Sequence, residues 1–97
     1  SCCDMYKREA TILNPTGLHA RPASDFVKCA ANFKSDITIG RVSSEKTVNA
    51  KSIVMLLTQA LSKGTQVCVS AEGEDEKQAV DTLIELIESG FSEGLEG

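Results

Sequence analysis

Apolar and polar positions alternate in short stretches of this chain and recur at helical spacing in others. From Tyr6 to Leu13, Ala10 and Ile12 share one face while Lys7, Glu9 and Thr11 share the other, a strand pattern. Asn14, Pro15, Thr16 and Gly17 then make a turn. Ala23, Phe26, Val27 and Ala30 follow at i, i+3, i+4, i+7, one apolar helical stripe. Residues 36–41 (DITIGR) and 46–50 (KTVNA) alternate again, with Ile37, Ile39, Val48 and Ala50 directed inward, and read as a hairpin. A second helix is predicted from about Ser52 to Ser62, with Ile53, Leu56, Leu57, Ala60 and Leu61 as its stripe and Gly64 as its stop. Val67, Val69 and Ala71 mark a fourth strand whose other face carries Cys68 and Ser70. Asp75 reads as an N-cap with Gln78 completing a capping box, and Val80, Leu83, Ile84 and Ile87 form the stripe of a last helix ended by Gly90. The Gly- and Glu-rich stretch from Phe91 onward reads as a mobile tail.

The order is β-α-β-β-α-β-α. Each helix has one stripe to bury and the strands offer one sheet. An α+β fold satisfies both: an open-faced β-sandwich, with a four-stranded, mostly antiparallel sheet and three helices on one face. The remaining sheet face is expected to be solvated, which suits Cys68 and Ser70. A chain of 97 residues supports one such domain. Ser1–Asp4 precede Met5, a natural start, and read as an appended scar; the domain is placed at residues 5–93, with 94–97 as a flexible tail.

Charge narrows the partners. A net charge of −4, without a basic stripe or stacking aromatics, argues against nucleic acid and fits docking on basic protein surfaces. Apolar runs such as Ile53–Leu57 are far too short for membrane insertion, and no basic-then-apolar leader opens the chain, so a cytoplasmic location is expected. Of the 4 cysteines, none forms a CxxC pair, so free thiols are expected, with no metal and no cofactor. Cys29, in mid-helix, reads as a small core filler.

The chemistry gathers in NPTGLHARPAS, residues 14–24, around the sole histidine. Pro22 is tolerated only in the first turn of a helix, which puts His19 at or beside the helix N-terminus. There, backbone N–H groups without internal partners and the helix dipole favour an anion. Arg21 adds a donor fork suited to phosphate oxygens. A largely neutral imidazole in that setting can accept a phosphoryl group. On local chemistry alone a plain helix cap with a solvated Arg21 stays open beside that reading. Acid–base catalysis has less support, because the sequence holds no second histidine to form a dyad with His19.

GLHARPAS at 17–24, KTVNAKSI at 46–53 and AEGEDEKQAV at 71–80 resemble the HPr family, the histidine-containing phosphocarriers of the bacterial sugar phosphotransferase system. The similarity runs in family order from about Met5 to Glu93. It implies a carrier and not an enzyme: His19 would take a phosphoryl group on Nδ1 from Enzyme I, ultimately from phosphoenolpyruvate, and pass it to the IIA domains of sugar permeases. Arg21 matches the arginine that contacts the phosphoryl group, and Ala20 with the first-turn amides would complete the cradle. Ser52 matches the serine that a dedicated HPr kinase/phosphorylase modifies; it is also expected to cap the second helix whether or not it is modified. Ala20, Ile53, Val54 and Leu57 match partner-docking positions, with Lys28 and Lys51 as rim charges. A monomer is the simplest state for such a shuttle. The alternative is a paralogous carrier of a nitrogen-regulatory or other dedicated phosphorelay; Ser52 within NAKSI favours the sugar system. A regulatory relative without the histidine, or a small acylphosphatase-like enzyme, fits the motif less well. Two departures stand out: the GRVSSEKT loop is longer than is usual in the family, and Met55 stands where a glycine is common.

Overall fold

The computed structural model describes residues 6–14, 17–18, 20–59 and 61–92. Strand β1 (Tyr6–Thr11) leads to helix α1 (Ala20–Ala30), then β2 (Asp36–Arg41), β3 (Val48–Asn49), α2 (Ile53–Thr58), β4 (Gln66–Glu72) and α3 (Glu76–Glu88). The sheet order is β1-β4-β2-β3 and every pairing is antiparallel. Strand β4 is inserted between β1 and β2, so those two strands run parallel to each other without touching. The expected open-faced α+β architecture is the one observed, with α3 packed on β1 and β4 and α1 packed against α2 and α3.

Period-two alternation sets the two faces. Ala10, Val67, Val69, Ala71, Ile37, Ile39 and Val48 point toward the helices and are buried. Phe26, Ala23 and Ala30 of α1 and Val80, Leu83, Ile84 and Ile87 of α3 close over them. Val27, assigned to the α1 stripe, is only half-buried. Each large side chain fully withdrawn from water here contributes about 1.5–3 kcal/mol. On the opposite face Lys7, Ser70, Thr38 and Asn49 lie in one row across the four strands. That face is less open than the pattern suggested: Ser70 is buried, because β4 is central and its neighbours crowd it from both sides.

The sheet edge carries an ion pair. Arg8 Nη1 meets Asp81 Oδ1 of α3 at 3.1 Å, and the Tyr6 hydroxyl donates to the same oxygen at 3.0 Å. The Arg8 bond, followed by the Tyr6 bond, holds the Asp81 carboxyl below its ordinary range.

Four local expectations are corrected. The hairpin's second strand shrinks to Val48–Asn49, although Val48 and Ala50 are buried as expected. The predicted capping box at α3 does not form: Asp75 occupies the N-cap position without a side-chain cap bond. Its carboxylate instead accepts from the backbone N–H groups of Lys34 (2.9 Å) and Ser35 (3.0 Å) and from the Ser35 hydroxyl. Three donors outweigh one helix amide. The Ser35 hydroxyl above all, with the Lys34 amide next, pulls the Asp75 carboxyl below the usual carboxylate value. Glu76 takes over near the helix start, accepting from the Gly73 N–H at 3.1 Å. Phe91 belongs to the core and not to a tail: it is 5% exposed in the short 3-10 turn Gly90–Ser92 that follows α3.

Helix α2 is the fourth. It spans six residues, not the stretch to Ser62. Its last turn tightens as the Gln59 N–H reaches the Leu56 carbonyl at 3.1 Å and the Thr58 hydroxyl bonds the Met55 carbonyl at 2.5 Å. Beyond it the chain is drawn to the segment ahead of α1. The Leu61 carbonyl accepts from the Leu18 N–H at 2.7 Å, the Gly64 N–H donates to Ile12 at 2.8 Å, and the Ile12 N–H donates to Thr65 at 2.9 Å. Long-range partners for these backbone groups replace a helical continuation. Gly64 turns the Ser62–Thr65 corner and is not a helix cap.

Candidate functional site

Two helix starts carry the predicted site residues. Helix α1 opens at Ala20, with Arg21 exposed and Pro22 buried in the first turn. This placement agrees with the proline argument, since the missing N–H falls where the helix needs none. His19 immediately precedes Ala20 in sequence and lies outside the described residues; the Ala20 side chain is likewise outside them. No acidic residue stands in the first turn of α1 to compete with an incoming anion.

The segment entering α1 is held firmly from behind. The Gly17 N–H closes a turn onto the Asn14 carbonyl at 3.1 Å, and Asn14 Nδ2 donates to the Gly17 carbonyl at 2.8 Å. Gly17 has φ +67°, and a Cβ there would stand 2.5 Å from the Leu61 carbonyl oxygen and 2.7 Å from Ser62 Cα. Only glycine allows this approach. The chain ahead of the candidate acceptor is thereby clamped to the chain that follows α2. Sequence reasoning identified the turn but not this contact; the sole signal was a glycine just ahead of the motif's histidine.

Ser52 caps α2 with extended backbone (φ −112°, ψ 112°), and its Oγ accepts from the Met55 N–H at 3.4 Å. The serine is partly exposed and its cap bond is long, so the hydroxyl stays within reach of solvent. Lys51, assigned to the rim, is tied down: its Nζ donates to the Phe33 carbonyl at 2.7 Å, just past the end of α1. Lys28 is exposed.

The exposed side of α2 is apolar. Leu56 alone is buried within the helix, whereas Ile53 is 37%, Val54 68%, Met55 44% and Leu57 40% exposed. Ile53 and Leu57 therefore do not belong to a buried stripe. A helix of six residues resting on one anchor cannot cover both, and no further layer lies over it among the described residues. Contiguous exposed apolar side chains are a common feature of contact surfaces. Cys29 and Cys68 are free thiols, and partial burial pushes the Cys29 thiol up. Among the described residues no group of three His, Cys, Asp or Glu side chains could hold a metal ion. No helix of the described residues is long and apolar enough to cross a membrane.

Residues 6–89 match the family described as "PTS HPr component phosphorylation site". The chain belongs to the HPr phosphocarrier family. It is 51% identical to the phosphocarrier protein HPr of Borreliella burgdorferi, covering 88% of this chain and 96% of that protein. Identity to HPr of Haemophilus influenzae is 48%, covering 86% and 95%. Among solved structures, HPr-C-His from Thermoanaerobacter tengcongensis superposes with a TM-score of 0.87 at 46% identity, covering 93% of this chain and 99% of the other. The match spans every strand and helix described above, so the clamp behind α1 and the exposed α2 surface both lie within the matched residues. As an HPr-family member the chain is a phosphocarrier of the phosphotransferase system.

Proposed function

We propose that His19 is the phosphoryl acceptor, with Arg21 as its charge partner. The reading rests chiefly on one observation: α1 begins at the residue after His19, with an exposed arginine and no acid in its first turn. The amides of that turn lack helical partners, so they supply donors for a bound anion. In each transfer one N–P bond breaks and another forms. The phosphoryl group leaves the phosphohistidine of Enzyme I for His19, and later leaves His19 for a histidine of a IIA domain. Arg21 and the helix end disperse the phosphoryl charge in both bound states, while neither binds it so firmly that onward transfer stalls.

Partner docking uses Ala20 and the apolar surface of Ile53, Val54 and Leu57, whose exposure supports this assignment. Phosphorylation of Ser52 by an HPr kinase/phosphorylase regulates the same surface. A phosphate there places nearly two negative charges at the edge of the patch, where it gains from the start of α2 and repels an acidic partner face. The protein acts as a cytoplasmic monomer in this reading, shuttling between partners, with residues 5–93 as the working domain.

Incubation with phosphoenolpyruvate and Enzyme I should yield an acid-labile adduct at His19. A His19→Ala protein that still acquired the adduct would falsify the assignment. Arg21→Ala should slow transfer while leaving the unfolding midpoint unchanged. With ATP and the cognate kinase an acid-stable adduct is expected at Ser52, and its persistence in Ser52→Ala removes the regulatory assignment.

A further inference from the structure

We propose that Met55 is an oxidation site through which peroxide weakens partner docking on α2. The inference rests on the docking reading above and adds a form of regulation to it. Met55 is 44% exposed and stands among Ile53, Val54 and Leu57, the other exposed apolar side chains of α2. Its structural duties fall on its backbone: the N–H serves the Ser52 Oγ at 3.4 Å, and the carbonyl accepts from Thr58 at 2.5 Å. The side chain therefore remains available for chemistry that leaves the fold intact.

A thioether reacts without first ionising. The sulfur lone pair attacks one peroxide oxygen, the O–O bond breaks, an S–O bond forms and water departs. The sulfur is oxidised by two electrons and the peroxide is reduced. The product replaces a flexible apolar group with a polar, chiral sulfoxide. Within a docked interface that oxygen loses its water without gaining a donor, and the apolar contact is also reduced. Phosphorylation at Ser52 changes the charge of this surface; oxidation at Met55 changes its polarity, and methionine sulfoxide reductase can reverse it.

The test uses the full chain, treated with hydrogen peroxide until peptide mapping shows one added oxygen on Met55, and calorimetric titration against Enzyme I. Docking is expected to weaken about tenfold, equivalent to losing most of one buried apolar contact, with an unchanged unfolding midpoint. Met55→Leu should hold whatever affinity for Enzyme I it has before treatment unchanged by peroxide, and reductase treatment should restore the oxidised wild type. Unchanged affinity after full conversion overturns the proposal, as does an equal loss in Met55→Leu, which assigns the effect to another sulfur. Untreated protein that does not bind Enzyme I refutes the docking reading itself, a separate failure.

Discussion

A methyl group added at Gly17 should destabilise the protein far more than the same methyl group added at Gly64. Both glycines have positive φ, +67° and +90°, so alanine at either position meets the left-handed penalty of about 1–2 kcal/mol. Reduced freedom of the unfolded chain returns about 0.4–1 kcal/mol at each. At Gly64 the new Cβ finds nothing within 4 Å, so the net loss should be about 0–1.6 kcal/mol. At Gly17 it stands 2.5 Å from the Leu61 carbonyl oxygen and 2.7 Å from Ser62 Cα, both backbone atoms that cannot rotate aside. Normal contact is nearer 3.5 Å, so two chain segments must separate by about 1 Å. That strain adds about 1–3 kcal/mol. It also stretches the Leu18–Leu61 hydrogen bond, now 2.7 Å, whose loss adds about 1 kcal/mol. Gly17→Ala is therefore expected to lose about 2–5.5 kcal/mol, or roughly 10–25 °C in Tm for a domain of this size. Urea unfolding of both variants, followed by circular dichroism with equal slopes, measures the difference. If Gly17→Ala falls within about 0.5 kcal/mol of Gly64→Ala, the clamp is not a rigid contact and the reasoning fails.

The two faces of α2 should separate by mutation: Leu56→Ala loses about 2–5 kcal/mol, whereas Val54→Ala stays within about 0.5 kcal/mol in denaturant unfolding yet weakens Enzyme I binding in titration. Asp75→Asn should lower the unfolding midpoint at neutral pH. The folded-state carboxyl titrates below its unfolded value, so the Asp75 contribution is complete above the ordinary carboxylate pKa and disappears as pH falls through the folded value. The gap between wild type and variant should accordingly close in acid, and a gap that widens there contradicts the Ser35 clasp. Cys29, whose thiol is raised by burial, should alkylate more slowly at neutral pH in native protein than after unfolding, as thiol-labelling mass spectrometry can read out.

How far each helix could be read from sequence depended on competition for its ends. For α1, Pro22 and the Ala23, Phe26, Ala30 spacing place its start and buried face correctly, because both signals are local. For α3 the stripe is right but the cap is not: Asp75 has the proper residue type, and the Lys34–Ser35 amides, distant in sequence, claim its carboxylate. The apolar positions of α2 extend to Leu61, yet the Leu61 carbonyl is taken by Leu18 and the helix stops at Thr58. The candidate site divides in the same way. The GLHARPAS motif and the helix start after His19 are legible in one dimension, whereas the approach of Gly17 to Leu61 and Ser62 is a contact between separate segments.

Residue order alone thus determines which face of β1, β2, β4, α1 and α3 turns inward, where α1 begins, and that a histidine and an arginine flank that beginning. These follow from local sterics and periodicity, which need no knowledge of the rest of the chain. Tertiary structure decided that Ser70 is covered, that Phe91 joins the core, that α2 ends early and that Ile53 and Leu57 stay exposed. Each outcome depends on which distant group supplies a layer or a hydrogen-bond partner, and an apolar residue is buried only where the fold places something over it.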